Sequence, residues 1–377
     1  MLGHSFDPEG LVIDPNTGDF IVADEYGPSV YVFDRDGRLQ TIFDVPENLV
    51  PFVGTTVNYV ALRDACGAMG APPQPPLCAA DGGRQDNRGY EGLAVSPDGK
   101  LLYAVLQDPL IDETGAGTNN GRNSRNVRIV VYDNDHASPS YGTSLKQLVY
   151  QLEPQADVAA RINAQIANNA NATDPRQGRN IGVSAIVAIN DVEFLVLERD
   201  NRGIGIDDPQ GARAVGSKRV FKINITGATD ATNVVLGLNA LPAGTVAVTK
   251  SPVLIDLQAN TSLPNGKRAE KWEGLTIGPR LKNGDLMLLA GNDNDYSVTQ
   301  TGAGEQFDVY VDFNGKFAQC VLDDPTHCDL DPTDLDTTKA SVLPAGFQLL
   351  PGVLHAFRTS ALTGYVQPNR HTGNQED

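Results

Sequence analysis

Three glutamates, Glu9, Glu91 and Glu273, each stand directly before a Gly-Leu pair. Carboxylates drawn together from separate parts of a chain can hold a hard cation through oxygen, so the repeat is a candidate for metal chemistry. Each triplet opens an apolar run that meets a turn signal, and a second apolar run then stops on acids or amides. These endings are Asp24-Glu25, Gln107-Asp108 and Asn292-Asp293. A weaker fourth copy has Ser184-Ala185-Ile186 for the triplet and ends on Glu198-Arg199. Laying the second runs over one another gives a column of Asp24, Gln107, Glu198 and Asn292, and beside it Glu25, Asp108, Arg199 and Asp293. From these sets Glu9, Glu25, Glu91, Glu198, Glu273 and Asp293 are the candidate metal ligands. Arg199 is the one basic member of its column and the candidate catalytic cation, able to steady charge developing on a substrate. The competing explanation is that strand ends meet water and are polar for that reason. Four copies with polar groups at matched offsets favour a site.

The elements that position these residues are hairpins. "DPEGLVIDPNTGDFIVADEYG" and "NRGYEGLAVSPDGKLLYAVLQDPL" each read as strand, turn, strand, with Asp14 to Gly18 and Ser96 to Gly99 as the turns. The copies begin at Glu9, Glu91, Ser184 and Glu273, in steps of 82, 93 and 89 residues. A step of that size marks a repeated unit. A second strand pair follows each hairpin, from Ser29, Val127, Lys218 and Phe307, so each unit is four antiparallel strands. Such sheets repeated along a chain are the blades of a β-propeller, and the fold class is all-β. The innermost strands of a propeller meet around one mouth, where Glu9, Glu91 and Glu273 would crowd together. Like charges that close need a neutralising partner, and Ca2+ is the economical one. Residues 1–377 read as one propeller domain with insertions at about 47–86 and 154–181, the second holding a short helix from Asp157 to Asn169. A further stretch, residues 239–270, is ambiguous and could supply strands to another blade.

The chain of 377 residues carries a formal charge of −18, which makes nucleic acid an unsuitable partner because phosphate backbones would be repelled. No apolar stretch is long enough to span a bilayer. Four cysteines fall in two local pairs, Cys66 with Cys78 and Cys320 with Cys328, whose close spacing in loops reads as two disulfides and an oxidising compartment. A zinc site is the weaker alternative, since neither pair has the C-x2-C form and the five histidines are scattered. Sequons at Asn171, Asn224 and Asn260 also suit an exported chain. Nucleophilic catalysis has no support, because G-x-S-x-G, P-loop and dinucleotide-binding patterns are all missing from the sequence.

Asp7-Pro8-Glu9-Gly10 with Ala23-Asp24-Glu25-Tyr26-Gly27-Pro28, Asn87-Arg88-Gly89-Tyr90-Glu91-Gly92-Leu93 with Ser96-Pro97-Asp98-Gly99-Lys100, Leu195 to Asp200, and Trp272-Glu273-Gly274-Leu275 with Asp293-Asn294 occur in this order. On these residues the chain resembles the phytase-like family, described as having the esterase-like activity of phytase. The resemblance implies a calcium-dependent hydrolase of phosphate or other esters, secreted, periplasmic or at the cell surface, acting on a small anionic or ester substrate. It also implies five or six blades in an intact member, with one more hairpin before the Asp-Pro-Glu-Gly copy, so that either an N-terminal blade would be lacking here or the ring would close differently. A non-catalytic calcium-binding recognition propeller outside the cell is the alternative.

Overall fold

The Asp14 turn shows why these hairpins close. The Asp14 carboxylate accepts from the backbone N–H groups of Asn16 (2.7 Å) and Thr17 (3.2 Å), and Gly18 then takes a φ of 80°. Asp supplies the local acceptor and Gly the left-handed residue, so the chain reverses between β1 (Pro8–Ile13) and β2 (Phe20–Asp24) with little strain. The second hairpin repeats the device: Asp98 accepts from the Lys100 N–H at 3.0 Å, and Gly99 has a φ of 77°.

The computed structural model describes residues 6–53, 55–57, 82–85, 87–115, 121–168, 181–204, 213–261, 269–294, 297–300, 306–330 and 339–368. In blade 1, β1 and β2 are followed in order by β3 (Ser29–Phe33) and β4 (Leu39–Ile42). A small ribbon, β5 (Phe52–Val53) with β6 (Thr56–Val57), belongs to the first insertion. Blade 2 is β7 (Tyr90–Val95), β8 (Leu101–Leu106), β9 (Asn126–Asp133) and β10 (Ser144–Gln151). A helix, α1 (Gln155–Asn168), stands in the second insertion where the sequence predicts one. Blade 3 is β11 (Gly182–Ala188), β12 (Glu193–Arg199), β13 (Lys218–Asn224) and β14 (Thr249–Asp256). Of the ambiguous stretch after Leu238, Thr249–Asp256 completes the third blade.

The fourth unit departs from the expectation. β15 (Trp272–Arg280) and β16 (Leu286–Asn292) pair as predicted, but β17 (Val298–Gln300), β18 (Gln306–Val311), β19 (Phe317–Val321), β20 (Asp324–Asp329) and β21 (Gln348–Leu349) form a separate sheet. The third strand of blade 4 is β22 (Leu354–Thr359), which pairs with β16. Strands β18 and β19 are joined by a short local turn, and such a hairpin forms whichever sheet it finally joins. Its residues announce the strands but not their partner. Cys320 is bonded to Cys328 across β19 and β20, as expected, while Cys66 and Cys78 lie outside the described residues.

The blades pack in succession through their inner strands, making an all-β propeller arrangement. Ile21, Val30, Val95, Leu102 and Val130 belong to one buried cluster that runs through blades 1 to 3, and Leu197, Trp272 and Leu288 join blade 3 to blade 4. A Cβ on Gly10 would stand 2.7 Å from the Leu93 nitrogen, and one on Gly92 would stand 2.9 Å from the Ile186 nitrogen. The glycines of the first two triplets thus let an inner strand press against the backbone of the next. At the following junction the Ser184 hydroxyl donates to the Trp272 carbonyl at 2.7 Å. A Cβ on Gly274, by contrast, would find its nearest neighbours at 3.6 Å, all from Gly291 of its own blade. Packing of blade on blade stops there among the described residues. Leu11 (61% exposed) and Ile13 (58%) line a cavity with Leu93, Ile186 and Leu275 of the other inner strands, and Leu354 on the last strand of blade 4 is 71% exposed. No described helix is long and apolar enough to cross a membrane.

Candidate functional site

Each inner strand carries a β-bulge at the residue singled out in its sequence. Pairing runs from Tyr90 with Leu106 to Gly92 with Val105, so Glu91 is the extra residue in β7. Ser184 is skipped in the same way between Val183 and Ala185, and Glu273 between Trp272 and Gly274. In β1 the break lies between Pro8 and Leu11, where Glu9 and Gly10 stand. An extra residue is released from the ladder and its side chain is re-aimed, which is how an otherwise apolar strand can deliver a carboxylate to its end. Glu9, Glu91, Ser184 and Glu273 line one cavity of about 230 Å³, so all four starts share one mouth.

The bulges also correct the alignment of the strand ends. The backbone N–H groups of Glu25, Gln107 and Asp293 donate to the carbonyls of Asp7, Gly89 and Lys271, each at 2.9 Å. Arg199 occupies the same step opposite Gly182. Gln107, rather than Asp108, is therefore the structural counterpart of Glu25, Arg199 and Asp293. Asp24 corresponds to Leu106, Glu198 and Asn292. Polar endings had been matched by type, and in the second hairpin that shifts the register by one.

Side chains gather accordingly. Arg199 Nη2 donates to Glu91 Oε1 at 3.1 Å and also reaches Glu273 Oε1, linking blades 2, 3 and 4. The Gln107 amide supports Glu91 as well. On the blade 1 side, one ligand oxygen each from Asp7, Glu9 and Glu25 lie within 4.8 Å of one another. Arg88 stands beside them, with Nε 3.1 Å from Asp108 Oδ2 and Nη1 3.8 Å from Glu25 Oε1. Glu198 is not part of the mouth. It extends from the opposite side of β12 to Arg199, accepting from Tyr150 Oη at 2.5 Å, from the Glu153 N–H at 3.1 Å and from Lys250. Adjacent strand residues face opposite ways, so Glu198 and Arg199 cannot both serve one mouth. Asp293 has its backbone at the equivalent step.

Burial drives the electrostatics. It pushes Glu9 up to about 9, with Glu91, Glu273 and Asp7 adding repulsion, and it pushes Glu25 up to about 10, with Glu91 adding and Arg88 opposing. Glu91 is raised by burial to about 7, held down by Arg199 against the repulsion of Glu273. Burial disfavours the charged form of Arg199, but Glu273 and Glu91 outweigh it and hold the guanidinium ionised. Glu25 Oε1 and Glu91 Oε2 are buried without a hydrogen-bond partner among the described residues. A hard, oxygen-seeking cation fits this donor set, because it would favour the ionised carboxylates and satisfy the orphaned oxygens.

Asp7 and Arg88 were not among the candidate residues. Both stand in the stretches that open the hairpins, Asp7 two residues before Glu9 and Arg88 three before Glu91. That shared placement was the available signal.

Residues 2–296 match the model of the phytase-like family, described as esterase-like activity of phytase. The chain belongs to this family. An uncharacterized secreted protein of Arthroderma benhamiae is 28% identical over 331 residues, which cover 79% of this chain and 59% of that protein. The phytase-like chain thus spans under two-thirds of that relative. Among solved structures, the Cps50 (Swd1) β-propeller domain of Myceliophteria thermophila is 9% identical, with 93% of this chain and 73% of that one covered and a TM-score of 0.29. The hydrazine synthase of Kuenenia stuttgartiensis is 10% identical, with 96% and 99% covered and a TM-score of 0.27. The architecture rests on the sheets described above.

Proposed function

We propose that this phytase-like protein acts outside the cell as a calcium-dependent hydrolase of phosphate or other esters, working at the acidic mouth. The observation that carries the reading is the cluster of half-buried Asp7 and Glu9 with buried Glu25, whose close oxygens, and a Glu25 Oε1 that receives no hydrogen bond among the described residues, suit a divalent cation. When bound there, calcium would supply positive charge to polarise an ester oxygen and acidify a water. Asp7, Glu9 and Glu25 hold the cation, with Glu273 across the cavity. Glu91 is the proton carrier: Arg199 holds Oε1, while Oε2 is buried with no hydrogen bond among the described residues and is left to take or give the proton. Arg199 fixes the position of Glu91 and Glu273 and keeps the mouth from being wholly acidic.

One observation favours the non-catalytic alternative, a cation-stabilised recognition propeller. Arg199 is only 6% exposed and engaged by two glutamates, so it does not meet a substrate directly. Assays on phosphomonoesters, phosphodiesters and carboxyl esters, each with calcium and with chelator, decide between them. Calcium-dependent turnover of one class supports the hydrolase. Calcium-dependent melting without turnover of any class would leave the recognition reading.

A further inference from the structure

We infer that Arg88 is the substrate-facing cation of the mouth, an anion subsite for the phosphate or carboxylate-type oxygens of the ester. The inference rests on the ester-hydrolase reading above and names the residue that would receive the anion. Arg199 cannot take that part, being shut between Glu91 and Glu273 with a side chain 7% exposed, whereas the Arg88 side chain is 29% exposed.

Several constraints hold Arg88 in place. Its backbone N–H donates to the Gln85 carbonyl at 3.1 Å, and the Gln85 amide in turn donates to the Pro109 carbonyl at 2.7 Å. Asn87 sits in the left-handed region with a φ of 51°, a conformation that costs energy for a non-glycine residue and persists only where the surroundings impose it. Gly89 follows, and any Cβ there would lie 1.9 Å from the Glu25 carbonyl oxygen. The turn is therefore pressed against the backbone of the very residue whose carboxylate belongs to the cation cluster.

The guanidinium is held at two of its three nitrogens. Nε faces Asp108 at 3.1 Å, and Nη1 donates to the Asn87 carbonyl at 2.7 Å. Nη2 has no partner among the described residues. An arginine held in this way loses little further freedom on receiving an oxyanion, to which it can offer the hydrogens of Nη2 in charge-assisted bonds. Flanking acids would repel an anion from Arg88 alone. The subsite thus works beside a cation held by Asp7, Glu9 and Glu25, with the anion between two positive centres.

Calcium and inorganic phosphate are the probes, and the variants are Arg88→Gln and Arg88→Lys. With saturating calcium, phosphate should raise the melting midpoint of the wild type and inhibit ester hydrolysis competitively. Arg88→Gln should weaken phosphate binding and raise KM by about tenfold or more, as expected for loss of a charge-assisted pair, with a smaller change in kcat. Its calcium-dependent melting shift should persist, which shows that the mouth still folds. Arg88→Lys should fall between the two, since it keeps charge but not the fork. An Arg88→Gln protein that binds phosphate like the wild type would overturn the inference, and so would a wild type indifferent to phosphate in calcium. If phosphate binds in an Arg88-dependent way but calcium shifts nothing, Arg88 keeps its role and the calcium reading falls.

Discussion

Arg199 Nη2 lies 3.1 Å from Glu91 Oε1, and the same nitrogen serves Glu273, so a single guanidinium ties the inner ends of three blades. Arg199 and Glu91 are buried and Glu273 is half-buried, and breaking such a pair from one side leaves charge without compensation. Arg199→Gln should therefore lower stability by about 3–5 kcal/mol, measured by denaturant unfolding. Adding Glu91→Gln should restore part of the loss, because the repulsion with Glu273 is then relieved. A double variant no more stable than Arg199→Gln would show that the pair is not coupled.

The pH dependence of the metal-free protein follows from the raised carboxylates. Glu91, Glu9 and Glu25 have folded values of about 7, 9 and 10, against an ordinary glutamate value of 4.5. Their contribution is complete below the unfolded value and is lost as pH rises through the folded values, because the unfolded chain releases these protons more readily. In chelator, the melting midpoint should fall from pH 5 toward pH 10, with the part due to Glu91 lost first. Calcium should flatten the fall by favouring the ionised forms. A midpoint that rises over that interval in chelator would contradict the assignment.

The glycines of the inner strands give a purely steric test. Gly10→Ala and Gly92→Ala push a methyl group to within 3 Å of the neighbouring backbone, which cannot swing aside as a side chain can. Each should cost about 1–3 kcal/mol, the usual range for overpacking. Gly274→Ala meets nothing closer than 3.6 Å and should be neutral or slightly stabilising. Thermal melting of the three variants separates a packing role for the triplet glycine from a merely repeated sequence.

Much of this arrangement could be read from the residues because hairpins are local. Turn chemistry at Asp14–Gly18 and Ser96–Gly99 gives the strand pairs directly, and four repeats of that pattern give the blades. Two features escaped for physical reasons. A bulge inserts one residue without disturbing the apolar pattern on either side, so the displacement of Glu91 shows only in the hydrogen-bond ladder, and Gln107 was aligned with the wrong neighbours. Strand β22 is separated from β16 by a whole inserted sheet, and no local signal reveals a partner so far along the chain. Glu198 was misplaced because side-chain alternation decides which of two adjacent charged residues enters the mouth.

Removing Glu198 from the ligand set has its own consequence. Tyr150, Lys250 and the Glu153 N–H converge on its carboxylate between blades 2 and 3. Glu198→Gln should destabilise the protein by about 3 kcal/mol or more, since Lys250 loses its counter-charge. The increment in melting midpoint produced by calcium should stay at the wild-type size. A reduced increment would return Glu198 to the mouth.

Glu25→Gln makes the converse case. With Glu25 raised to about 10 by burial, the metal-free protein keeps this carboxyl protonated at neutral pH, and an amide of the same shape replaces it with little strain. Stability in chelator at pH 7 should change by less than about 1 kcal/mol, and toward pH 10 the variant should become the more stable of the two, since it has no proton to lose. Calcium reverses the order. The wild type gains stability by mass action, about 2.7 kcal/mol at one hundred times the dissociation constant, while the variant has lost a charged ligand and needs more cation for the same gain. A calcium titration of both melting midpoints at pH 7 and pH 9 reads all four limits. Equal calcium increments in the two proteins would place the cation away from Glu25, and an increment of zero in both would leave Glu9 and Glu25 as protonated acids that hold the strand ends together by burial alone.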